Sequence, residues 1–147
     1  MPDPGFVPPQ PFEAGSSIVN LAAGIAGRFG VRTPSAPLIE PFLDDALTAA
    51  ASVVTVLFDG LGERQLAAHA PHGALMQQRL RALDSVFPSS TAPAVTSLAA
   101  AAPPAVHGNP AWMIWSECAG AIIRTLPMDV RGDPQRKVLA ADTWQWQ

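Results

Sequence analysis

Apolar residues recur at helical spacing near the start of the chain. The positions that share one face are Ile18, Leu21, Ala22, Ile25 and Phe29. Spacing of three or four residues predicts an α-helix, with Ser16 or Ser17 as N-cap and Gly30 as C-cap. A shorter helix is predicted over residues 42–50. Five prolines within residues 1–15 remove backbone donors, so that stretch is predicted to be an irregular lead-in.

Residues 52–58 form the most strand-like run in the chain. Their sequence is Ser-Val-Val-Thr-Val-Leu-Phe, which is rich in β-branched residues and shows no polar alternation. Such a run is typical of a central parallel strand that is covered on both faces. It ends at Asp59-Gly60, and the segments 63–70 and 73–83 that follow are predicted to be helical.

The second half of the chain repeats the change from strand to helix. A short strand is predicted at residues 86–87, and an alanine-rich helix at residues 91–101. Two further strands are predicted at residues 112–115 and 121–123, whereas residues 131–137 are predicted to be a polar loop. Alternating strands and helices predict an α/β fold with a mostly parallel central sheet.

Composition and charge exclude several classes of protein. The 147 residues fit one domain, predicted to span residues 16–147. Nine Lys and Arg are scattered among twelve Asp and Glu, so nucleic acid is not expected as a partner. The longest apolar run, residues 47–58, is shorter than the roughly 20 residues that cross a bilayer, so no membrane partner and a cytoplasmic location are expected. The single cysteine, Cys118, cannot form an internal disulfide and is expected to be a buried apolar residue.

Asp59 directly follows the predicted strand and is a candidate metal ligand. Doubly wound sheets bind ligands beyond the carboxyl ends of their strands. A carboxylate at that edge, beside Gly60 and Gly62, suits a divalent cation because the glycines let other groups approach closely. The alternative is that Asp59-Gly60 is only a turn.

Three consecutive hydroxyl residues, Ser89, Ser90 and Thr91, stand where the alanine-rich helix is predicted to begin. Hydroxyls at this place usually cap a helix by accepting hydrogen bonds from its first amides. The same amides and the helix dipole also suit an anion such as a phosphoryl group. A threonine hydroxyl there becomes a nucleophile when a metal ion stabilises its alkoxide.

Three short motifs occur in order and together resemble one enzyme family. They are the hydrophobic run 53–58 ending in Asp59-Gly60, the Phe-Pro-Ser-Ser-Thr segment at residues 87–91, and the Pro-Ala-Val-His-Gly turn at residues 104–108. Over residues 50–130 this order resembles the type I phosphodiesterase/nucleotide pyrophosphatase family of the alkaline-phosphatase superfamily. The resemblance implies a three-layer α/β sandwich with a mostly parallel central sheet, of which this chain would be an incomplete N-terminal portion.

The resemblance also implies a metal site, a nucleophile and a class of substrate. Asp59 would bind one of two divalent metal ions, usually zinc, and Thr91 would be both a metal ligand and the nucleophile. The substrates would be small molecules with phosphodiester or nucleotide pyrophosphate bonds, cleaved through a covalent intermediate on Thr91. His107 is expected to fix its turn by hydrogen bonding, while His69 and His72 are expected at the surface.

The chain also departs from the family. Asn109 lies too close to His107 to be carried over as the phosphate-binding asparagine of relatives. The family's further Asp and His ligands lie far downstream, so the chain is expected to be a fragment that needs downstream residues for full activity and is not expected to be an efficient enzyme alone. The alternative function is a catalytically silent α/β scaffold or binding module in which Asp59 and Thr91 are structural. The oligomeric state is left open.

Overall fold

The computed structural model describes residues 15–139. In that range the helices are α1 (Ile18–Arg28), α2 (Pro41–Ala49), α3 (Glu63–His69), α4 (Ala74–Gln77), α5 (Thr91–Ala100) and α6 (Pro104–His107). The strands are β1 (Met113–Ser116), β2 (Ala121–Arg124), β3 (Asp129–Val130) and β4 (Asp133–Lys137). The predicted lead-in, apart from Gly15, lies outside the described residues, as do residues 140–147.

Helix α1 lies where the sequence predicts. Ser17 is its N-cap and forms a capping box with Asn20, because each side chain accepts a hydrogen bond from the other residue's amide. The helix ends at Arg28, and its C-cap is Phe29, one residue before the predicted Gly30, which follows with a positive φ of 77° that favours glycine. The predicted helices over α2, α3 and α5 are also confirmed, whereas the helix predicted at residues 73–83 is confirmed only over α4.

The predicted parallel strand at residues 52–58 is wrong. The segment has no regular hydrogen-bonded structure and pairs with no other strand among residues 15–139. Its side chains are largely exposed, with Val54 85% exposed. The strand predicted at residues 86–87 is also wrong. A β-branched run favours the strand conformation but does not supply a partner strand, and pairing with a partner is what stabilises a strand.

The sheet that does form is antiparallel, with the order β1-β2-β3-β4. Strands β1 and β2 confirm the two strands predicted after His107, and Ile114 pairs with Ile123 at their centre. The predicted polar loop at residues 131–137 is wrong, because Asp133–Lys137 is strand β4 and pairs with β3. The described chain is therefore not a mostly parallel, alkaline-phosphatase-like three-layer sandwich, and the predicted fold class is wrong.

The core holds the start of α5 against α1. Val19 of α1, Ala92 of α5 and Val86, which precedes α5, are buried. At the start of α1, the Ile18 amide donates to the Asp84 carbonyl at 3.0 Å, and the Asp84 amide donates to the Ser16 carbonyl at 2.9 Å. This backbone bridge and the packing of α1 against α5 place the segment that leads into α5 beside the start of α1.

The buried carboxylate of Asp129 forms hydrogen bonds to both neighbouring strands of the sheet. Asp129 is 1% exposed, and its two oxygens accept hydrogen bonds from Arg124 Nε at 2.6 Å and Arg124 Nη2 at 2.8 Å. Lys137 Nζ donates to the same carboxylate at 3.2 Å. These three residues lie on β2, β3 and β4, so one carboxylate links three strands. The hydrogen bonds from Arg124 lower the pKa of Asp129 and outweigh the opposing effect of burial.

Acid is expected to destabilise the protein through Asp129. Because its pKa is lower in the folded chain than in the unfolded chain, its stabilising contribution is present at neutral pH. That contribution is lost as the pH falls below about 4 and through the lowered pKa. We expect Asp129→Asn to lower the free energy of unfolding at pH 7 and to flatten its dependence on pH below 4, measured by urea denaturation at several pH values. Asp45→Asn, at an exposed position on α2, is the control, and an equal loss in both variants would contradict the prediction.

Two further expectations, on membrane crossing and on the burial of Cys118, can be compared with the structure. Among residues 15–139, no helix combines the length and apolar character needed to cross a membrane. Cys118 is exposed in the turn between β1 and β2, so its expected burial is wrong.

Candidate functional site at the start of helix α5

Asp59 occupies a turn that only a glycine completes without strain. Gly60 has a φ of 71°, in the left-handed region that residues with a Cβ rarely adopt. No atom would approach an added Cβ at this glycine within 4 Å, so the backbone angle and not crowding favours glycine. Asp59 itself is exposed. The turn therefore presents a carboxylate to solvent at the end of residues 52–58.

Asp59 and Thr91 lie in contact although 32 residues separate them. Thr91 Oγ1 is 3.3 Å from Asp59 Oδ1 and 3.3 Å from Asp59 Oδ2, so the hydroxyl donates a long, shared hydrogen bond to the carboxylate. Thr91 is half-buried and is the first residue of α5. The structure thus brings together the two site residues that the motifs single out.

The beginning of α5 leaves amides free for another group. Its N-cap, Ser90, forms no side-chain capping hydrogen bond. The first hydrogen bond within the helix runs from the Ala94 amide to the Ser90 carbonyl, and Pro93 has no amide. Among the described residues, the amides of Thr91 and Ala92 have no hydrogen-bond acceptor. The hydroxyls beside this helix end therefore do not cap it, and its positive dipole end faces the Asp59–Thr91 pair.

The Asp59–Thr91 pair fits part of the ligand set of a divalent cation. Carboxylate and hydroxyl oxygens suit zinc or magnesium, and two oxygens that bind one such ion lie roughly 3.0–3.5 Å apart when each metal–oxygen distance is about 2.1 Å. The observed separation of 3.3 Å falls in that interval. Within residues 15–139, no group of three or more His, Cys, Asp or Glu side chains is close enough together to bind a metal ion.

His107 holds a buried network behind the site. Its Nδ1 accepts a hydrogen bond from the Asn109 amide at 3.1 Å, so in the neutral ring Nε2 carries the proton and donates to Ser97 Oγ at 2.8 Å. Ser97 is fully buried in the middle of α5. Burial lowers the pKa of His107, which favours this neutral form. The expectation that His107 fixes its turn by hydrogen bonding agrees with these contacts.

Asn109 belongs to the same network, a structural role that its sequence pattern does not predict. It is 1% exposed, and its Nδ2 donates to Thr96 Oγ1 at 2.8 Å. Its Oδ1 is buried and has no hydrogen-bond partner within residues 15–139. The only available signal was its position two residues after His107, which does not reveal burial. His69 and His72 are exposed, as expected.

Comparisons with models of protein families, with curated proteins and with solved structures find no match to this chain.

Proposed function

We propose that this protein is a metal-dependent hydrolase of phosphodiester or nucleotide pyrophosphate bonds, with Thr91 as the nucleophile. The observation that supports the proposal most is the contact between Thr91 Oγ1 and both carboxylate oxygens of Asp59. The resemblance of the three ordered motifs to the type I phosphodiesterase/nucleotide pyrophosphatase family supports the same chemistry. The proposal does not depend on the sandwich fold that the resemblance implied.

The side chains at the start of α5 suit phosphoryl transfer. When bound, zinc would stabilise the Thr91 alkoxide and the charge on the phosphoryl oxygens. Asp59 accepts the hydrogen bond of the Thr91 hydroxyl and so orients its oxygen. The free amides of Thr91 and Ala92 would donate to a phosphoryl oxygen, and the helix dipole would favour its negative charge.

The reaction would proceed in two displacements. Thr91 Oγ1 loses its proton to solvent water and attacks phosphorus, and the bond from phosphorus to the leaving oxygen breaks. The leaving group departs as an oxyanion that takes up a proton from water, and a covalent phospho-threonine remains. Water then attacks phosphorus, the bond to Thr91 Oγ1 breaks, and the hydroxyl regains a proton. A cytoplasmic location is part of the proposal, since the single cysteine provides no intrachain disulfide of the kind common in secreted domains.

Zinc binding and turnover test the proposal together. With Asp59 and Thr91 as the ligands named among residues 15–139, we expect the wild-type chain to bind zinc weakly in a calorimetric titration and to hydrolyse bis(4-nitrophenyl) phosphate slowly when zinc is present. Asp59→Asn removes a negatively charged ligand, so zinc affinity should fall at least about tenfold and turnover should fall with it.

Asp45→Asn is the matched control, because it removes an exposed carboxylate from α2 and leaves the start of α5 unchanged. Equal zinc affinity and turnover in wild type and Asp59→Asn would refute the role of Asp59. If the wild-type chain neither binds zinc nor hydrolyses the ester, the alternative of a silent scaffold is favoured.

A further inference from the structure

Asp59 and Gly60 form the only Asp-Gly pair in the sequence. In such a pair the backbone nitrogen of the glycine lies close to the side chain of the aspartate, and no Cβ crowds that nitrogen. Attack of the nitrogen on the side-chain carboxyl carbon closes a five-membered ring, a succinimide. The pair is therefore a place where the chain modifies itself if the fold leaves both reacting groups free.

The fold leaves the Gly60 amide free. Asp59 and Gly60 are the two central residues of a turn in which the Leu61 amide donates to the Phe58 carbonyl at 3.4 Å. The positive φ of Gly60, 71°, at the third position is typical of a type II turn. Among residues 15–139, the Gly60 amide has no hydrogen-bond acceptor. The attacking nitrogen is thus held by no backbone hydrogen bond.

The Asp59 side chain is also accessible. Asp59 and Gly60 are both exposed. Within the described part of the chain, the hydrogen bonds to the Asp59 carboxylate come from Thr91 Oγ1, at 3.3 Å to each oxygen. This distance is long for a hydroxyl and a carboxylate, so the contact holds the side chain weakly. Rotation toward the Gly60 nitrogen is therefore open to it, and water reaches both groups.

We propose that Asp59 converts itself to isoaspartate through a succinimide formed with the Gly60 nitrogen. The carboxylate takes up one proton from water, the bond between the Gly60 nitrogen and Asp59 Cγ forms, and one water molecule leaves with the amide hydrogen. A second water molecule then adds to one of the two ring carbonyls, and the new carboxyl group releases the proton. Opening at Cγ restores aspartate, whereas opening at the backbone carbonyl carbon gives isoaspartate, whose main chain runs through the former side chain.

Three other aspartates of the described chain each lack one of these features. Asp45 lies within α2, where the helix fixes its backbone. Asp84 is exposed and precedes a small residue, Ser85, but its amide and its carbonyl are both held by backbone hydrogen bonds. Asp133 precedes Pro134, whose nitrogen has no hydrogen to lose. Isomerisation should therefore concentrate at position 59.

Isomerisation would separate position 59 from Thr91. Isoaspartate keeps the negative charge, but it lengthens the main chain by one carbon atom and attaches the carboxylate directly to Cα. The modification itself does not depend on the proposed hydrolase, whereas its consequence for zinc and turnover rests on that proposed function. Under that function, the Asp-Gly turn limits the lifetime of the site.

Ageing of the full chain followed by peptide mapping tests the proposal. The purified chain is kept for several weeks near neutral pH, digested, and analysed by mass spectrometry with electron-transfer fragmentation, which distinguishes isoaspartate from aspartate. We expect isoaspartate at position 59 to exceed that at positions 45 and 84 by at least about tenfold, because only position 59 precedes glycine. The intermediate should appear as a peptide that lacks the mass of one water molecule. An unaged sample digested in parallel corrects for isomerisation during digestion.

Gly60→Asn is the matched variant for the attacking amide. Asparagine tolerates a positive φ, and no atom lies within 4 Å of a Cβ added at this glycine, so the turn should be kept. The new side chain crowds the nitrogen, and isoaspartate at position 59 should fall at least about tenfold. Circular dichroism spectra that match wild type verify the fold. Equal isoaspartate at positions 59 and 84 of the wild type, or an undiminished level in Gly60→Asn, would overturn the proposal.

Two substitutions at position 59 test the ring directly. Asp59→Glu requires a six-membered ring, which closes much more slowly, so no isomerised product should accumulate. Asp59→Asn closes the same five-membered ring with loss of ammonia in place of water, so this variant should convert on ageing and is assayed fresh. Isomerised product in Asp59→Glu at the wild-type level would contradict the succinimide route.

Zinc separates this proposal from the proposed function. A carboxylate bound to zinc is not free to close the ring, so zinc at about ten times its Kd should slow isomerisation at position 59 about tenfold. Equal isomerisation with and without zinc would contradict zinc binding by Asp59 and leave the modification standing. No isomerisation in the absence of zinc would overturn the modification and leave the metal site untouched.

Discussion

Replacing Thr91 with alanine is expected to lower kcat/KM for bis(4-nitrophenyl) phosphate by at least about 1,000-fold in the presence of zinc. The substitution removes the oxygen that attacks phosphorus, and loss of a nucleophile commonly reduces the rate by several orders of magnitude. Thr91→Ser keeps an oxygen at the same position and should retain measurable turnover. Stopping the wild-type reaction with acid and analysing peptides by mass spectrometry should reveal a phosphorylated peptide that contains Thr91.

Thr48→Ala is the matched control for this prediction. Thr48 is exposed on α2 and lies outside all three motifs. Its loss should leave kcat/KM unchanged. If Thr91→Ala keeps more than about a tenth of the wild-type kcat/KM, Thr91 is not the nucleophile, and the contact with Asp59 is a structural hydrogen bond.

Replacing His107 with phenylalanine is expected to destabilise the fold by about 2–4 kcal/mol at pH 7.5. The phenyl ring fills much of the same space, but the Asn109 amide loses its acceptor and Ser97 Oγ loses its donor. Each buried polar group without a partner costs about 1–3 kcal/mol. Urea denaturation followed by tryptophan fluorescence measures the change in the free energy of unfolding.

The pH dependence of stability separates this network from simple packing. The pKa of His107 is lowered in the folded chain because the ring is buried, so the unfolded chain binds the proton more tightly. The stabilising contribution is therefore complete above the unfolded pKa of about 6.5 and is lost as the pH falls below that value. Between pH 7.5 and 5.5, wild type should lose stability and His107→Phe should lose less.

His69→Phe is the control for the loss of an imidazole, since His69 is exposed on α3. It should leave the free energy of unfolding at pH 7.5 unchanged. A His107→Phe variant as stable as wild type, with the same slope, would show that the network contributes nothing measurable.

Local signals predicted the helices well. Around α1, the cap at Ser17, the apolar spacing and Gly30 all lie within about a dozen residues. Residues close together in sequence are therefore enough to predict this helix. The strands depended on partners elsewhere in the chain. Residues 52–58 have the strongest strand composition, yet no partner among residues 15–139, whereas the polar residues Asp133–Lys137 form a strand because β3 lies two residues away.

The residues of the candidate site also divide into those with a local signal in the sequence and those whose position depends on packing between distant elements. Asp59 and Thr91 were identified because each sits in a recognisable motif, and motif order suggested that they meet. The hydrogen-bonding role of His107 in its turn was predictable, but its burial with Ser97 and Asn109 was not, since that burial follows from how α5 and α6 pack. The pairing of Arg124 with Asp129 had a usable signal in hindsight, because the two are direct cross-strand partners across a short hairpin.

The buried network has a geometric consequence for the exposed end of α5. Thr96 and Ser97 are held by Asn109 and His107, so the helix is clamped in the middle of its length. An α-helix turns by about 100° per residue, and a slip of one residue at the clamp would swing Thr91 around the helix axis by that angle. Its hydroxyl would then point away from Asp59. The rotational setting of one helix, fixed at residues 96 and 97, thus decides whether the two side chains at the surface meet.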